Sequence, residues 1–255
     1  MCERSTPILQ EENGQLWLRF DDGTVQSRML RADPGRLVLE YTRLMMGFLL
    51  FHPAPERIAM IGLGGGSLAK YCARKLPDAD LTAVEISPEV IALRAAFGIP
   101  PDGPRFRVLR DDGAEFVRRD GEPLGVLLVD AFDREGHPDR LCSAAFYDAC
   151  RDRLAADGVL AVNLYAEDAA HGRCVDRIRE AFGERIVVVA ADGSENEVVF
   201  AGKGASFPPA FGDLVARLRA LEASHPVGLD ATMRKILRYR EPRDARRRRC
   251  SPIRP

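Results

Sequence analysis

The sequence predicts an α/β fold built on a seven-stranded, mostly parallel sheet, and three observations carry that prediction. From Arg57 onward, apolar strand-like runs alternate with helix-like segments, which requires a parallel sheet covered on both faces. The last two strand runs, 185–190 and 197–200, have only Ala191 to Asn196 between them. That is too short for a crossover helix, so they pair antiparallel. The composition, 46% hydrophobic and 29% charged over 255 residues, supplies a large core and excludes wholesale disorder.

Taken in order, the runs 16–20 and 24–28 flank Asp21-Asp22-Gly23, a hairpin signal. Leu37 to Phe51 reads as one helix, stopped before Pro53. Strands follow at 57–61, 81–86, 105–109, 126–129, 158–164, 185–190 and 197–200. Helices at 67–75, 88–97, 114–119, 143–155 and 170–182 separate most of them, with two more at 211–223 and 231–237. Seven strands with one reversed in a C-terminal hairpin is the arrangement of Rossmann-like transferases. The chain therefore divides into a hairpin and helix extension (1–52), a Rossmann-like domain (53–239) and a tail (240–255). The tail holds three prolines and Arg246 to Arg249 and is expected to be disordered.

The formal charge of −1 divides unevenly. From Arg238 onward eight arginines stand against Glu241 and Asp244, a local +6 that leaves the preceding residues at −7. A tail with no aromatic beyond Tyr239 reads as solvated, so nucleic acid is not the expected partner. The apolar run Leu44 to Phe51 is far short of a membrane span and no signal-cleavage pattern follows it; a soluble, cytoplasmic protein is expected. Six scattered cysteines include no CxxC pair, which argues against a zinc site and against a disulfide framework. Buried or idle thiols are expected instead.

In such a sheet, ligands bind outside the carboxyl ends of the strands. After the first parallel strand comes Gly62-Leu63-Gly64-Gly65-Gly66-Ser67. Its glycines let the backbone turn sharply and approach a ligand beside a helix N-terminus. Glu85, after the second, is either an acceptor for two ribose hydroxyls or a solvated strand end. Asp111-Asp112-Gly113, after the third, offers either an acceptor for an adenine amino group or a helix N-cap. The fourth ends in Asp130-Ala131-Phe132-Asp133. Two carboxylates three apart can divide the work of accepting a proton and holding a cation, or they cap and turn the chain. Of the four histidines only His137 lies in the predicted site, as a substrate contact or an exposed loop residue. There is no Ser–His–Asp set and no metal cluster.

These residues together resemble the spermidine synthase (polyamine aminopropyltransferase) family. Asp130 to Tyr147, DAFDREGHPDRLCSAAFY, matches the family's gatekeeping segment D-x-x-D-P-x-G-P-x-x-x-L-(x)4-F-Y at Asp130, Asp133, Gly136, Leu141, Phe146 and Tyr147. Val84 to Ser87 resembles its VEID, and Asp111 to Phe116 its DDG-x-x-F. The resemblance implies the fold of S-adenosylmethionine-dependent methyltransferases and transfer of an aminopropyl group to a di- or polyamine such as putrescine. It implies decarboxylated S-adenosylmethionine as co-substrate, with no permanently bound cofactor and no metal. Gly62, Gly64, Gly65, Glu85, Asp112 and Gly113 would hold the nucleoside, and Asp130 would accept the proton. Asp133, Gly136 and Tyr41 would hold the amine. A homodimer or homotetramer is implied as well.

The sequence also departs from the family. The family's loop reads GGGDG, and its Asp falls on Gly65 here. Its Tyr-His-Glu falls on Glu40-Tyr41-Thr42, so the His is missing, and the Pro after the loop glycine is His137. The segment Ala190 to Glu195 carries no tyrosine. Glu40, Tyr165, Asp192 or Glu195 are candidates to take over amine recognition. Two other readings follow from the altered half-site: a methyltransferase using intact S-adenosylmethionine, and a non-catalytic nucleoside-binding relative. A nicotinamide dehydrogenase fits poorly, because the glycine spacing is imperfect and there is no sizeable second domain.

Overall fold

The computed structural model describes residues 7–19, 25–133 and 136–240. The Asp21-Asp22-Gly23 turn and the tail beyond 240 lie outside the described residues.

The N-terminal extension is a three-stranded antiparallel sheet of β1 (Ile8–Glu12), β2 (Gln15–Arg19) and β3 (Val25–Leu30). The sequence predicts a two-strand hairpin, and β1 adds a third strand to it. Every residue of β1 is exposed, so it carries no alternation of apolar and polar side chains to read. Its turn is Asn13-Gly14, both at positive φ (50° and 71°), the geometry of a tight hairpin. Leu16, Leu18 and Met29 alternate inward from β2 and β3 and are buried.

The predicted helix 37–51 is instead α1 (Glu40–Met45) continued by a 3-10 segment, Met46–Leu50. The tightening lets Met45, Met46, Phe48, Leu49 and Leu50 all be fully buried, more than one side of a regular helix would allow. They share a hydrophobic cluster with the main sheet.

That sheet comprises β4 (Arg57–Ile61), β5 (Asp80–Glu85), β6 (Phe106–Arg110), β7 (Leu124–Val129), β8 (Leu154–Tyr165), β9 (Ile186–Ala190) and β10 (Asn196–Gly202), in the order β6-β5-β4-β7-β8-β10-β9. β10 pairs antiparallel with both β8 and β9; the pairings from β6 to β8 are parallel. Successive side chains of one strand enter opposite cores. Ile58, Met60, Val126 and Leu128 face one cluster, and Ala59, Ile61, Leu127 and Val129 the other. Burial on both faces is why these strands read as continuous apolar runs.

The connecting helices are α2 (Ser67–Lys75), α3 (Pro88–Ala92), α4 (Gly113–Arg118), α5 (Ala144–Arg153) and α6 (His171–Phe182), followed by α7 (Phe211–Leu221) and α8 (Leu229–Arg240). α3 is shorter than the predicted 88–97; from Leu93 the chain continues in hydrogen-bonded turns to Gly98, at φ 63°. α6 buries Cys174, Ile178, Ala181 and Phe182, one stripe at helical spacing. No helix among the described residues is long and apolar enough to cross a membrane.

The expectation of idle thiols fails for one pair. Cys142 and Cys174 form a disulfide with Cα atoms 5.3 Å apart. They are 32 residues apart in sequence, and their meeting depends on the 3-10 turn Asp139–Cys142 packing on α6, which no local spacing announces. Cys72 and Cys150 are free and buried.

Candidate active site

The chain leaves β4 on one side of the sheet and returns to β7 on the other, so a crevice opens between their carboxyl ends. There the structure has an open cleft of about 1430 Å³. Gly62, Gly64, Glu85, Asp112, Gly113, Asp130, Asp133, Gly136 and Tyr41 all line it. Gly65 does not: it is buried beneath the loop, where a Cβ would sit 2.6 Å from Ser27 Oγ and 2.9 Å from the Phe97 ring.

Gly62 turns the chain out of β4 at φ 89°, and a Cβ there would overlap the Asp130 carbonyl. Only glycine allows β4 and β7 to exit side by side. The carboxylate of Glu85, 9% exposed, receives the Leu63 N–H on one oxygen (2.9 Å) and the Ser87 N–H on the other (2.8 Å). It thus ties the glycine loop to the start of α3 and keeps further lone pairs for a ligand. Ile86, next to it, is an exposed apolar residue on the cleft wall.

Asp112 is the N-cap of α4, its Oδ1 accepting from Ala114 N (2.8 Å) and Glu115 N (3.3 Å). Its Oδ2 pairs with Arg140 at 2.6 Å. Asp111 is paired with Arg119. The capping role is therefore present, and any contact to a base must use what the cap and the ion pair leave.

Asp130 lines the cleft just past the end of β7. Its Oδ1 accepts from Asn163 Nδ2 at 2.9 Å, and Asn163 Oδ1 accepts in turn from Asn196 Nδ2 at 3.0 Å. The Tyr41 hydroxyl also hydrogen-bonds Asp130. Burial pushes the Asp130 carboxyl up to about 6, against the lowering effect of these two donors. Burial and the adjacent Asp130 charge hold the Tyr41 phenol well above its ordinary value, so it is a neutral donor.

Beyond Asp130 the segment is pinned from behind. Asp168 Oδ2 accepts from His137 N and its Oδ1 from Ala170 N, both at 2.7 Å. Burial would raise the Asp168 carboxyl, but these amides with His137 and Arg173 more than offset it, and its pKa is lowered. His137 Nε2 accepts from Tyr165 N at 2.9 Å, and the ring packs on Phe132 at 4.5 Å. Burial pushes the His137 imidazole down to about 4, so it is neutral at physiological pH and its Nε2 can accept. His137 is neither an exposed loop residue nor a cleft-lining one; it fixes the backbone. Of the four candidates for amine recognition, only Tyr165 lines the cleft, with its hydroxyl 3.1 Å from Glu167. Glu40 is paired with Arg43 and Asp192 with Lys235, while Glu195 contributes its carbonyl to Ala166 N.

Asn163, Asn196, Glu167, Asp168 and the hairpin residues Gln26 and Ser27 also stand on the cleft wall, at positions no sequence motif marks. Asn163 left one trace, a polar side chain inside an apolar strand run. Among the described residues the lining carries eight carboxylates, namely Glu85, Glu89, Asp111, Asp112, Asp130, Asp133, Glu167 and Asp168, and one cation, Arg110. Such a wall selects cationic ligands.

Comparison with known proteins agrees with this chemistry. A model of the spermine/spermidine synthase domain matches residues 39–169. A polyamine aminopropyltransferase of Neisseria meningitidis is 37% identical over 224 residues, 87% of this chain and 84% of that protein. A probable spermidine synthase from Corynebacterium glutamicum superposes with a TM-score of 0.70 at 21% identity, covering 86% of this chain and 85% of that one. Human methyltransferase-like protein 13 in complex with SAH gives a TM-score of 0.66, also at 21% identity, covering 74% of this chain and 93% of its own. The two structural likenesses establish the fold; the sequence relatives and the matched domain separate the two chemistries.

Proposed function

The chain belongs to the spermine/spermidine synthase family, and on that premise we propose how its cleft carries out aminopropyl transfer to a di- or polyamine. The donor is decarboxylated S-adenosylmethionine. Glu85 receives its ribose hydroxyls, Ile86 offers an apolar surface to the purine, and Asp112 with Gly113 borders the adenine edge. The acceptor amine is an ammonium at neutral pH and must lose one proton before it can attack. Asp130 takes that proton. The freed nitrogen lone pair attacks the methylene carbon beside the sulfonium; the C–N bond forms as the C–S bond breaks. The bonding pair stays on sulfur, and neutral methylthioadenosine leaves with the aminopropylated ammonium as co-product. Asp133, Gly136 and Tyr41 border the reacting amine, and Tyr165 with Glu167 faces its distal cationic end.

The observation that carries this reading is Asp130 itself: a desolvated carboxylate, pushed up to about 6, on the wall of a cleft whose described lining holds eight carboxylates and one cation. A base with that pKa is ionised at neutral pH and still takes up a proton readily. The same wall disfavours the α-carboxylate of intact S-adenosylmethionine. Calorimetric titration with the intact and decarboxylated forms tests the donor, and tighter binding of the decarboxylated form is expected. Tighter binding of the intact form would overturn the assignment. The family reading also carries assembly as a homodimer or homotetramer, which sedimentation equilibrium tests, and a cytoplasmic location.

A further inference from the structure

We infer that Asn163 and Asn196 form a two-amide relay that orients the Asp130 carboxylate for proton acceptance, Asn163 by direct contact and Asn196 through Asn163. The inference rests on the reading of Asp130 as the base.

The geometry comes from strand register. Asn163 on β8 pairs with Val198 of β10, and Asn196 with Tyr165. Asn163 and Asn196 are therefore diagonal neighbours on one face of an antiparallel pair, within side-chain reach of each other. β8 lies beside β7, whose end carries Asp130. The two amides run in a line toward that carboxylate, at 3.0 Å and 2.9 Å.

The direction of the relay follows from charge. An ionised carboxylate only accepts, so the end of Asn163 that meets Asp130 must be its NH₂ group. Asn163 Oδ1 then points at Asn196, which must also present its NH₂. Asn163 is 2% exposed, so an amide turned the wrong way would put two acceptors face to face without water between them. Asn196 removes that alternative. It touches no reacting atom in the proposed mechanism, and its effect on Asp130 passes through Asn163. It is a positioning residue.

The consequence is electrostatic as well as geometric. Burial drives the Asp130 carboxyl upward while the hydrogen bonds from Asn163 and Tyr41 hold it down. Removing the Asn163 donor lets it rise further, by about one pH unit for a hydrogen bond to a charged group in a desolvated site.

Asn163→Leu and Asn196→Leu are neutral and similar in volume. The pH dependence of kcat is measured with both substrates saturating, and the Asp130 carboxyl is titrated by ¹³C NMR in the free enzyme. Asn163→Leu should move the acid limb and the carboxyl titration up by about one unit, an approximately tenfold loss of turnover below the limb that higher pH restores. Asn196→Leu should move both in the same direction by less. The double variant should behave as Asn163→Leu alone, because among the described residues the hydrogen-bonded path from Asn196 to Asp130 runs through Asn163. Methylthioadenosine affinity should not change. An unmoved limb, an equal loss at every pH, or additive shifts in the double variant would overturn the relay. If the leucine variants do not fold, Asn163→Ala and Asn196→Ala enter the same cycle. Full activity of Asp130→Asn would instead remove the base assignment. An inactive Asp130→Asn beside relay variants with the parental pH profile would remove the relay only.

Discussion

As the proposed base, Asp130 comes at a cost in stability. A carboxyl whose folded pKa lies near 6 and whose unfolded value is about 4 binds more protons folded than unfolded between those values. The stability associated with it is fully present below pH 4 and is lost as pH rises through 6. At pH 8 the ionised group costs on the order of 3 kcal/mol. Asp130→Asn should therefore unfold at higher temperature than the parent at pH 8, with the difference vanishing near pH 4; scanning calorimetry at the two pH values checks this. Residues whose chemistry is tied to a strand exit were legible in the sequence: Glu85, Asp112 and Asp130 stand where the topology puts ligands, and all three border the cleft. Asn163, Asn196 and Asp168 were not, because a neutral amide or a capping carboxylate has no spacing signature. The bonds that place them in the site span 31 to 33 residues. His137 was visible as a departure from the family pattern, but its acceptor role toward Tyr165 N was not.

At the scale of elements, the glycine loop and the disulfide make separate claims. Gly65 stands where family members carry an aspartate, yet it is buried, and a side chain there would run into Ser27 and the Phe97 ring. Gly65→Asp should not gain activity and should lose stability, by about 1–3 kcal/mol for overpacking and a buried charge, read as a lower thermal midpoint. The Cys142–Cys174 bond closes a loop of 32 residues. Cys174→Ser should lower stability by about 3 kcal/mol in non-reducing buffer, and the difference from the parent should shrink under a dithiol reductant. The alternating strands and helices were readable because both faces of the sheet are buried and each strand is an apolar run. β1 was not, since it is exposed throughout and exists only through pairing with β2. Nor was the 3-10 continuation of α1, whose apolar run fits either helix and becomes 3-10 where Gly47 packs on Thr232 and Phe200.

Across the whole molecule, charge and topology point the same way. The residues before Arg238 carry −7, and the carboxylates concentrated at the cleft turn that excess into a local field for polycations. The KM for a diamine should rise between about 50 and 300 mM salt as this field is screened, while kcat changes little; steady-state kinetics across that range checks it. The central claim is aminopropyl transfer with Asp130 as proton acceptor. It is tested most directly by mass-spectrometric product analysis of the parent and Asp130→Asn with putrescine and either donor. The predicted result is methylthioadenosine and aminopropylated amine in equal amounts from the decarboxylated donor, with kcat falling about 10²–10⁴-fold in Asp130→Asn and methylthioadenosine affinity retained. S-adenosylhomocysteine formed from the intact donor, or an undiminished kcat in Asp130→Asn, would contradict it.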